Sequence, residues 1–275
     1  MTLTGMATRT QLLSKVPQVT IYFWIIKILC TTVGESFADY INETLGVGLV
    51  NTTWIFAGAF VLALGVQFRL TRYVPAVYWL NVVLVSVVGT LVTDNMTDGH
   101  NVPLNRSFTL FAVLLVVVFG AWYWRERTLS IHSINTCPRE AWYWVTVLVT
   151  FALGTAAGDW TLDLAGWGPG PSVILPAALI AAVVLAWGLG AGPVLCFWLA
   201  YVLTRPLGAN IGDFLSSSHT DGGLGLGTLG TSLLFLSAIA AVVVYLTVSK
   251  ADREEHEVIG EPYNDPEPEP EPVGA

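Results

Sequence analysis

Apolar residues gather in eight long runs, at roughly 17–38, 49–68, 74–93, 108–124, 142–158, 172–189, 193–212 and 228–248, separated by short polar or glycine-containing breaks. A helix rises about 1.5 Å per residue, so about 20 apolar residues cross a hydrocarbon layer about 30 Å thick. The pattern predicts eight transmembrane helices and an all-α integral membrane fold. Polar residues within the runs follow a rule. The odd-numbered runs each lead into a Gly-x-x-x-x-Asp motif whose Asp stands fifteen residues after an aromatic-Trp pair: Trp24 and Asp39, Trp79 and Asp94, Trp144 and Asp159, Trp198 and Asp213.

The spacing reveals two levels of repetition. Asp39 to Asp159 is 120 residues and Asp94 to Asp213 is 119, while the steps within each half are 55 and 54. Asp39-Tyr40-x-x-Glu43-x-x-Gly46-x-Gly48 parallels Asp159-Trp160-x-x-Asp163-x-x-Gly166-x-Gly168, and His100 and His219 each follow their motif Asp by six residues. Each half is thus a pair of two-helix units. An even number of helices per unit makes all four enter the membrane in the same sense, giving parallel repeats with odd-numbered helices lining a common axis. The expected organisation is an N-terminal segment 1–16, a first half 17–130, a second half 131–250 and a tail 251–275.

Composition agrees with this class: 54% of residues are hydrophobic, 12% are charged and mean hydropathy is +0.64, far from an ordinary soluble domain. The first run is long and leads to Asp39 and further spans, so it reads as a span, not a cleaved signal peptide. The net charge of −8 belongs to the tail, whose Pro-Glu alternation from Asp265 to Pro272 predicts a disordered acidic extension. Arg9, Lys15, Arg69, Arg72, Arg125, Arg127, Arg139, Lys250 and Arg253 fall on one side of the eight-span layout, and Arg106 on the other. The positive-inside rule then predicts that both termini are cytoplasmic in a bacterial inner membrane. Trp122, Trp124 and Trp142 read as an interfacial belt.

Ionisable residues within spans are costly and mark functional positions. Four residues before the motif acids stand Glu35, Thr90, Thr155 and Ala209; four after stand Glu43, Asp98, Asp163 and Ser217. Residues at i and i+4 share a helix face, so oxygen donors form a stripe through each Asp. Carboxylates and hydroxyls without thiolates suit Mg²⁺, Ca²⁺ or Mn²⁺. The expected ligands are Asp39, Asp94, Asp159, Asp213, Glu35, Thr90 and Thr155, with Glu43, Asp98, Asp163, His100 and His219 as accessory donors. Lys27 and Arg205 are the internal bases available to balance the acids. Pro206 removes one helix hydrogen bond beside Arg205 and predicts a kink there.

Other chemistry finds less support. Ala156-Ala157-Gly158-Asp159 approaches the Gly-x-Gly-Asp motif of intramembrane aspartyl proteases, but Ala156 replaces the first Gly and four equivalent acids single out no dyad. No Walker, Gly-x-Ser-x-Gly or His-Glu-x-x-His sequence occurs, so neither an enzyme, a resident cofactor nor a nucleic-acid partner is expected. Cys30, Cys137 and Cys196 form no spacing that implies disulfides or a redox pair.

The runs Thr32-Val33-Gly34-Glu35-Ser36-Phe37-Ala38-Asp39, Gly154 to Asp159 and Arg205 to Asp213 resemble a bacterial family labelled membrane-anchored protein, over residues 15 to 250. That resemblance implies a multi-span bacterial membrane architecture without a defined activity. A looser likeness runs to cation/proton exchangers of manganese and calcium, whose Glu-x-Gly-Asp order differs from the Gly34-Glu35 order here. The resulting expectation is a proton-coupled secondary transporter of a divalent cation, manganese first, with a structural or regulatory membrane protein as the alternative and an intramembrane protease behind it.

Overall fold

The computed structural model describes residues 14–252; the first thirteen residues and the acidic tail beyond Asp252 lie outside the described residues. The chain forms α1 (Ile21–Asp39), α2 (Leu49–Arg69), α3 (Pro75–Asp94), α4 (Leu104–Glu126), α5 (Cys137–Ala165), a one-turn α6 (Pro169–Ser172), α7 (Ile174–Gly188), α8 (Pro193–Ser216) and α9 (Gly227–Ser249). With α6 and α7 sharing one crossing, eight segments among the described residues are long and apolar enough to span a membrane. Proline opens α3 and α8, where its missing N–H costs no helix hydrogen bond. The largest departure from the expected boundaries is α5, which exceeds the apolar run 142–158 at both ends because its polar flanks, Arg139-Glu140 and Thr161 to Asp163, are helical too.

Helices α1, α3, α5 and α8 form an inner ring: α1 packs on α3 and α8, and α5 packs on the same two. The outer helices follow one rule. Helix α2 packs on α3, α4 on α5, α7 on α8, and α9 returns to α1. Each repeat therefore covers the inner helix of the next repeat, and the last covers the first. The inner spans are 56–72% buried and the outer ones 11–28%, which leaves the outer helices apolar on most of their circumference for lipid.

The motif glycines make the ring possible. A Cβ on Gly34 would fall 1.9 Å from Ser86 Oγ, on Gly89 2.7 Å from Phe151 Cβ, on Gly154 2.5 Å from Arg205 Cβ, and on Gly208 1.8 Å from Thr31 Oγ1. All four partners occupy one column, eight residues before a motif Asp. The same joint is thus used four times, and the same offset at every joint keeps the inner helices parallel and in register. Backbone approach at small residues is how membrane helices gain packing contacts. Thr31 and Thr32 add hydroxyl donations to the Thr204 and Gly208 carbonyls at 3.2 and 2.9 Å, and Thr93 donates to Ala152 O at 3.2 Å.

At the end where the inner helices begin, the ring is filled with aromatic side chains. Phe23, Tyr78, Trp79, Tyr143, Trp144, Trp198 and Tyr201 are all buried there. Trp122 joins this core, edge-on to Trp198 with centroids 5.8 Å apart, so it is no belt residue; Trp124 is exposed as the belt reading requires. Below the aromatics, the segment before α1 is stitched across the ring. Lys15 pairs with Glu140, Gln67 donates to Glu140 Oε1 at 2.8 Å, and Gln18 N donates to Asp252 O at 3.0 Å. Lys15, Val16, Gln67 and Glu140 are buried, so the end of the N-terminal segment 1–16 packs on the helices.

Helix α8 continues as one helix through Pro206. The Pro206 ring fills the space at Gly154 and Gly158. Gly208→Ala is expected to destabilise the fold by about 1–3 kcal/mol, the usual cost of overpacking, in thermal unfolding of detergent-solubilised protein. Gly58→Ala, where a Cβ meets nothing within 4 Å, leaves the unfolding temperature unchanged or slightly raised.

Candidate cation site

The inner helices carry their motif acids to the end opposite the aromatics. Asp39 and Asp94 are the last residues of α1 and α3, each followed by a five-residue π turn, Tyr40–Thr44 and Asn95–Gly99. Asp213 lies in the last turn of α8, and Asp159 lies six residues before the end of α5. All four are half-buried. Their like charges act on one another across the ring: Asp94 interacts with Glu35, Asp159 and Asp39, and Asp159 with Glu35, Asp213 and Asp98. Four helix C-termini, each the negative end of its macrodipole, point the same way.

Glu35, Asp39 and Asp213 come closest. One carboxylate oxygen from each lies within 4.8 Å of the others, the one such group of three potential metal ligands among the described residues. A hard cation holds oxygen ligands at about 2.0–2.6 Å, so its donors lie within about 5 Å of one another. The three residues fit that requirement. Asp94 and Asp159 surround this cluster without joining it.

Arg205 forms the floor. It is wholly buried, its Nη2 donates to Glu35 Oε2 at 2.5 Å and to Thr90 Oγ1, and its Nη1 reaches Thr31 O at 3.4 Å. Thr90 Oγ1 also lies 3.4 Å from Glu35 Oε2. The guanidinium therefore holds one face of Glu35 and leaves Asp39 and Asp213 beside it. Thr155 is buried and donates to Phe151 O at 3.2 Å, as Thr90 does to Ser86 O, but unlike Thr90 it makes no hydrogen bond with Arg205 or Glu35.

The accessory residues lie outside. Glu43, Asp98, Asp163, His100 and His219 are exposed. Glu43 and Asp98 stand in the π turns that follow Asp39 and Asp94, and Asp163 in the last turn of α5. His100 Nδ1 lies 2.6 Å from Asn95 O and His219 Nδ1 3.1 Å from Gly223 O; both rings are engaged by their own loops. Lys27 does not touch an acid: its Nζ lies 3.9 Å from the centre of the Phe151 ring and 4.1 Å from that of Tyr201.

Sequence reasoning did not find the partners of Lys27 or the role of Thr31. Aligning the column twelve residues before each Asp, Lys27, Val82, Val147 and Tyr201, would have placed Tyr201 level with Lys27. Replacing Arg205 by Met leaves buried acids without their nearest base and is expected to cost about 3–5 kcal/mol. Adding Glu35→Gln to that variant restores a large part of the loss, measured as a double-mutant cycle of unfolding in detergent.

The geometry also explains the unit that recurs in related sequences. The chain matches the family described as Repeat of Unknown Function (DUF347) four times, at residues 22–73, 77–128, 142–189 and 196–252. No curated protein and no solved structure matches it. Each matched stretch takes one inner helix, or most of it, and the outer helix that follows. With four such units over most of its length, the chain belongs to the DUF347 repeat family.

Proposed function

We propose that the protein is a secondary transporter of a divalent cation, manganese before magnesium or calcium, embedded in the bacterial cytoplasmic membrane with both termini in the cytoplasm. The observation that carries this reading is the meeting of Glu35, Asp39 and Asp213 at one end of the ring, with Arg205 as the base in contact. Hard oxygen donors favour these ions, and the donor set includes no sulfur. Crowded carboxylates in a poorly solvated site need a cation or protons to offset their repulsion. Arg205 supplies one charge, and the arriving ion supplies the rest. Asp94 and Asp159 add to the field that draws cations to this end, and Thr90 steadies Glu35.

Protons are the proposed counter-substrate, since the chain carries no nucleotide-binding sequence to drive transport. No catalytic step and no resident cofactor belong to this reading. A structural or regulatory membrane role is the second reading, favoured by one observation: packing alone accounts for all four motif glycines. That reading gives no task to the three acids themselves or to the buried arginine in contact with Glu35.

Flux of Mn²⁺, Mg²⁺, Ca²⁺ and Zn²⁺ into proteoliposomes under an imposed pH gradient separates the two. Selective Mn²⁺ flux is expected, reduced at least about tenfold in Asp39→Asn and Asp213→Asn, as befits loss of a metal ligand. Asp163→Asn, at an exposed position outside the cluster, keeps wild-type flux. Folded protein that moves none of the four ions would leave the structural role standing.

A further inference from the structure

Outside the ring, beside the joint between α1 and α8, lies a groove that the cation site does not use. It holds about 600 Å³, within the range of cavities that take a small organic molecule. Helix α7 contributes Val183 and Trp187, α1 contributes Trp24 and Ile28, and α8 lines it between Pro193 and Leu207. At the aromatic end the groove meets Leu129 to His132, from the loop between α4 and α5. That loop is fixed in place, since Trp198 Nε1 donates to Leu129 O at 2.9 Å and Ile131 is buried.

Of the lining side chains only Ser130, His132, Cys196 and Thr204 are polar, and none is a carboxylate. Val184 and Trp187 are more than half exposed, so the groove opens sideways, where the membrane spans face hydrocarbon. Its course along α8, fourteen residue steps from Pro193 to Leu207, is about 21 Å long. That matches the depth of one leaflet with its headgroups, half of about 40–45 Å. Basic groups stand at the aromatic end. His132 is exposed, and so is Arg127, which forms no ion pair among the described residues. Arg127 lies two residues before Leu129, so their Cα atoms are within about 7 Å. Glu126, its neighbour in sequence, is taken up by Arg139 at 2.9 Å. An apolar trough one leaflet deep, with bases at its mouth, has the chemistry of both ends of an anionic phospholipid.

We infer that this groove seats one anionic phospholipid from the leaflet at the aromatic end, with an acyl chain along α1, α7 and α8 and the phosphate against Arg127 and His132. The inference does not draw on the cation reading. Arg127 offers the phosphate charge-assisted hydrogen bonds, and it repels the choline that a zwitterionic headgroup carries beside its phosphate. Trp24 and Trp187 are amphipathic rings of the kind that settle at headgroup level. The seat also bears on the ring. Thr31 donates to the Ile28 and Thr204 carbonyls at 2.6 and 3.2 Å, and Ile28 and Thr204 both line the groove. The seated chain therefore packs against the outside of the α1–α8 joint.

The test uses the full chain in phosphatidylcholine vesicles that contain a minor fraction of phosphatidylglycerol with a photoactivatable acyl chain, and identifies the labelled peptides by mass spectrometry. Label is expected to concentrate on residues 21–28, 180–187 and 193–207. Unlabelled phosphatidylglycerol should displace it at least about fivefold more effectively than phosphatidylcholine, the advantage that one basic group near a lipid surface gives. Arg127→Gln combined with His132→Gln is expected to bring the two lipids level. Val183→Trp, which fills the groove, is expected to lower the label at these residues at least about fivefold, the lower end of an overpacking penalty, with thermal unfolding reporting whether that variant is folded. The lipid preference and its loss are ratios and stand even where Val183→Trp does not fold. Label spread evenly over the outer helices of the wild type, equal displacement by the two lipids, a preference that survives the double variant, or full label in folded Val183→Trp overturns the inference.

Discussion

The ring depends on four places where a glycine of one inner helix takes the side chain of the next directly against its backbone. Gly34, Gly89, Gly154 and Gly208 each receive the residue eight positions before the following Asp, and any Cβ there would overlap it. Lipid supplies no hydrophobic drive between helices, so close packing and interhelical hydrogen bonds have to hold such a bundle. The threonine hydroxyl donations at the same joints supply the second of these. Because each outer helix covers the next repeat's inner helix, no two-helix unit buries its own inner face. The array is complete only when α9 reaches α1.

Close approach of the helices has an electrostatic consequence. Parallel helices in register bring like ends together, so the joints that make the ring also force four Asp residues and Glu35 into one region. The fourfold pattern is broken where it matters chemically. The column that faces the glycines holds Thr31, Ser86, Phe151 and Arg205, and the next holds Glu35, Thr90, Thr155 and Ala209. Only one base and one extra acid appear in these columns, and the joint between α8 and α1 places them in contact. The three-acid cluster consequently lies at the α1–α8 side of the ring instead of on its axis. Its donors come from both halves of the chain, Glu35 and Asp39 from the first and Asp213 from the second.

Much of this was legible in the sequence because its information is periodic. Fixed spacings of Trp, Gly and Asp identify equivalent helices, separate inner from outer, and place the acids at one depth. They do not say which inner helices become neighbours, since closure between α8 and α1 joins residues some 170 positions apart. The π turns after Asp39 and Asp94 were hidden for a related reason. A π turn takes in one more residue than an α turn while leaving composition and motif spacing unchanged. Trp122 shows the limit of reading an aromatic by its depth, because a side chain near a helix end serves a lipid interface or a protein core according to what packs on it. Lys27 and Arg205 were recognised as internal bases, but their different settings, one among rings and one among acids, arise from positions only four residues apart in the aligned repeats.

A cation held by Glu35, Asp39 and Asp213 would tie the two halves together at a joint made otherwise of Gly208, Thr31 and Thr32. That joint is held by backbone proximity, by the Thr31 and Thr32 donations to the Thr204 and Gly208 carbonyls and by the Arg205 contacts to Glu35 and Thr31 O. Such a seam can slide by small steps without opening a large void, whereas the aromatic end, filled by Trp and Tyr rings and crossed by the Lys15–Glu140–Gln67 network, cannot. The physical division of the ring is therefore into a rigid, sealed end and an end whose neighbouring helices are joined by small residues. On the transport reading proposed above, ion occupancy acts on the second. In duplicated membrane proteins the substrate commonly sits between the repeats that move, and here the acids gather between the two halves.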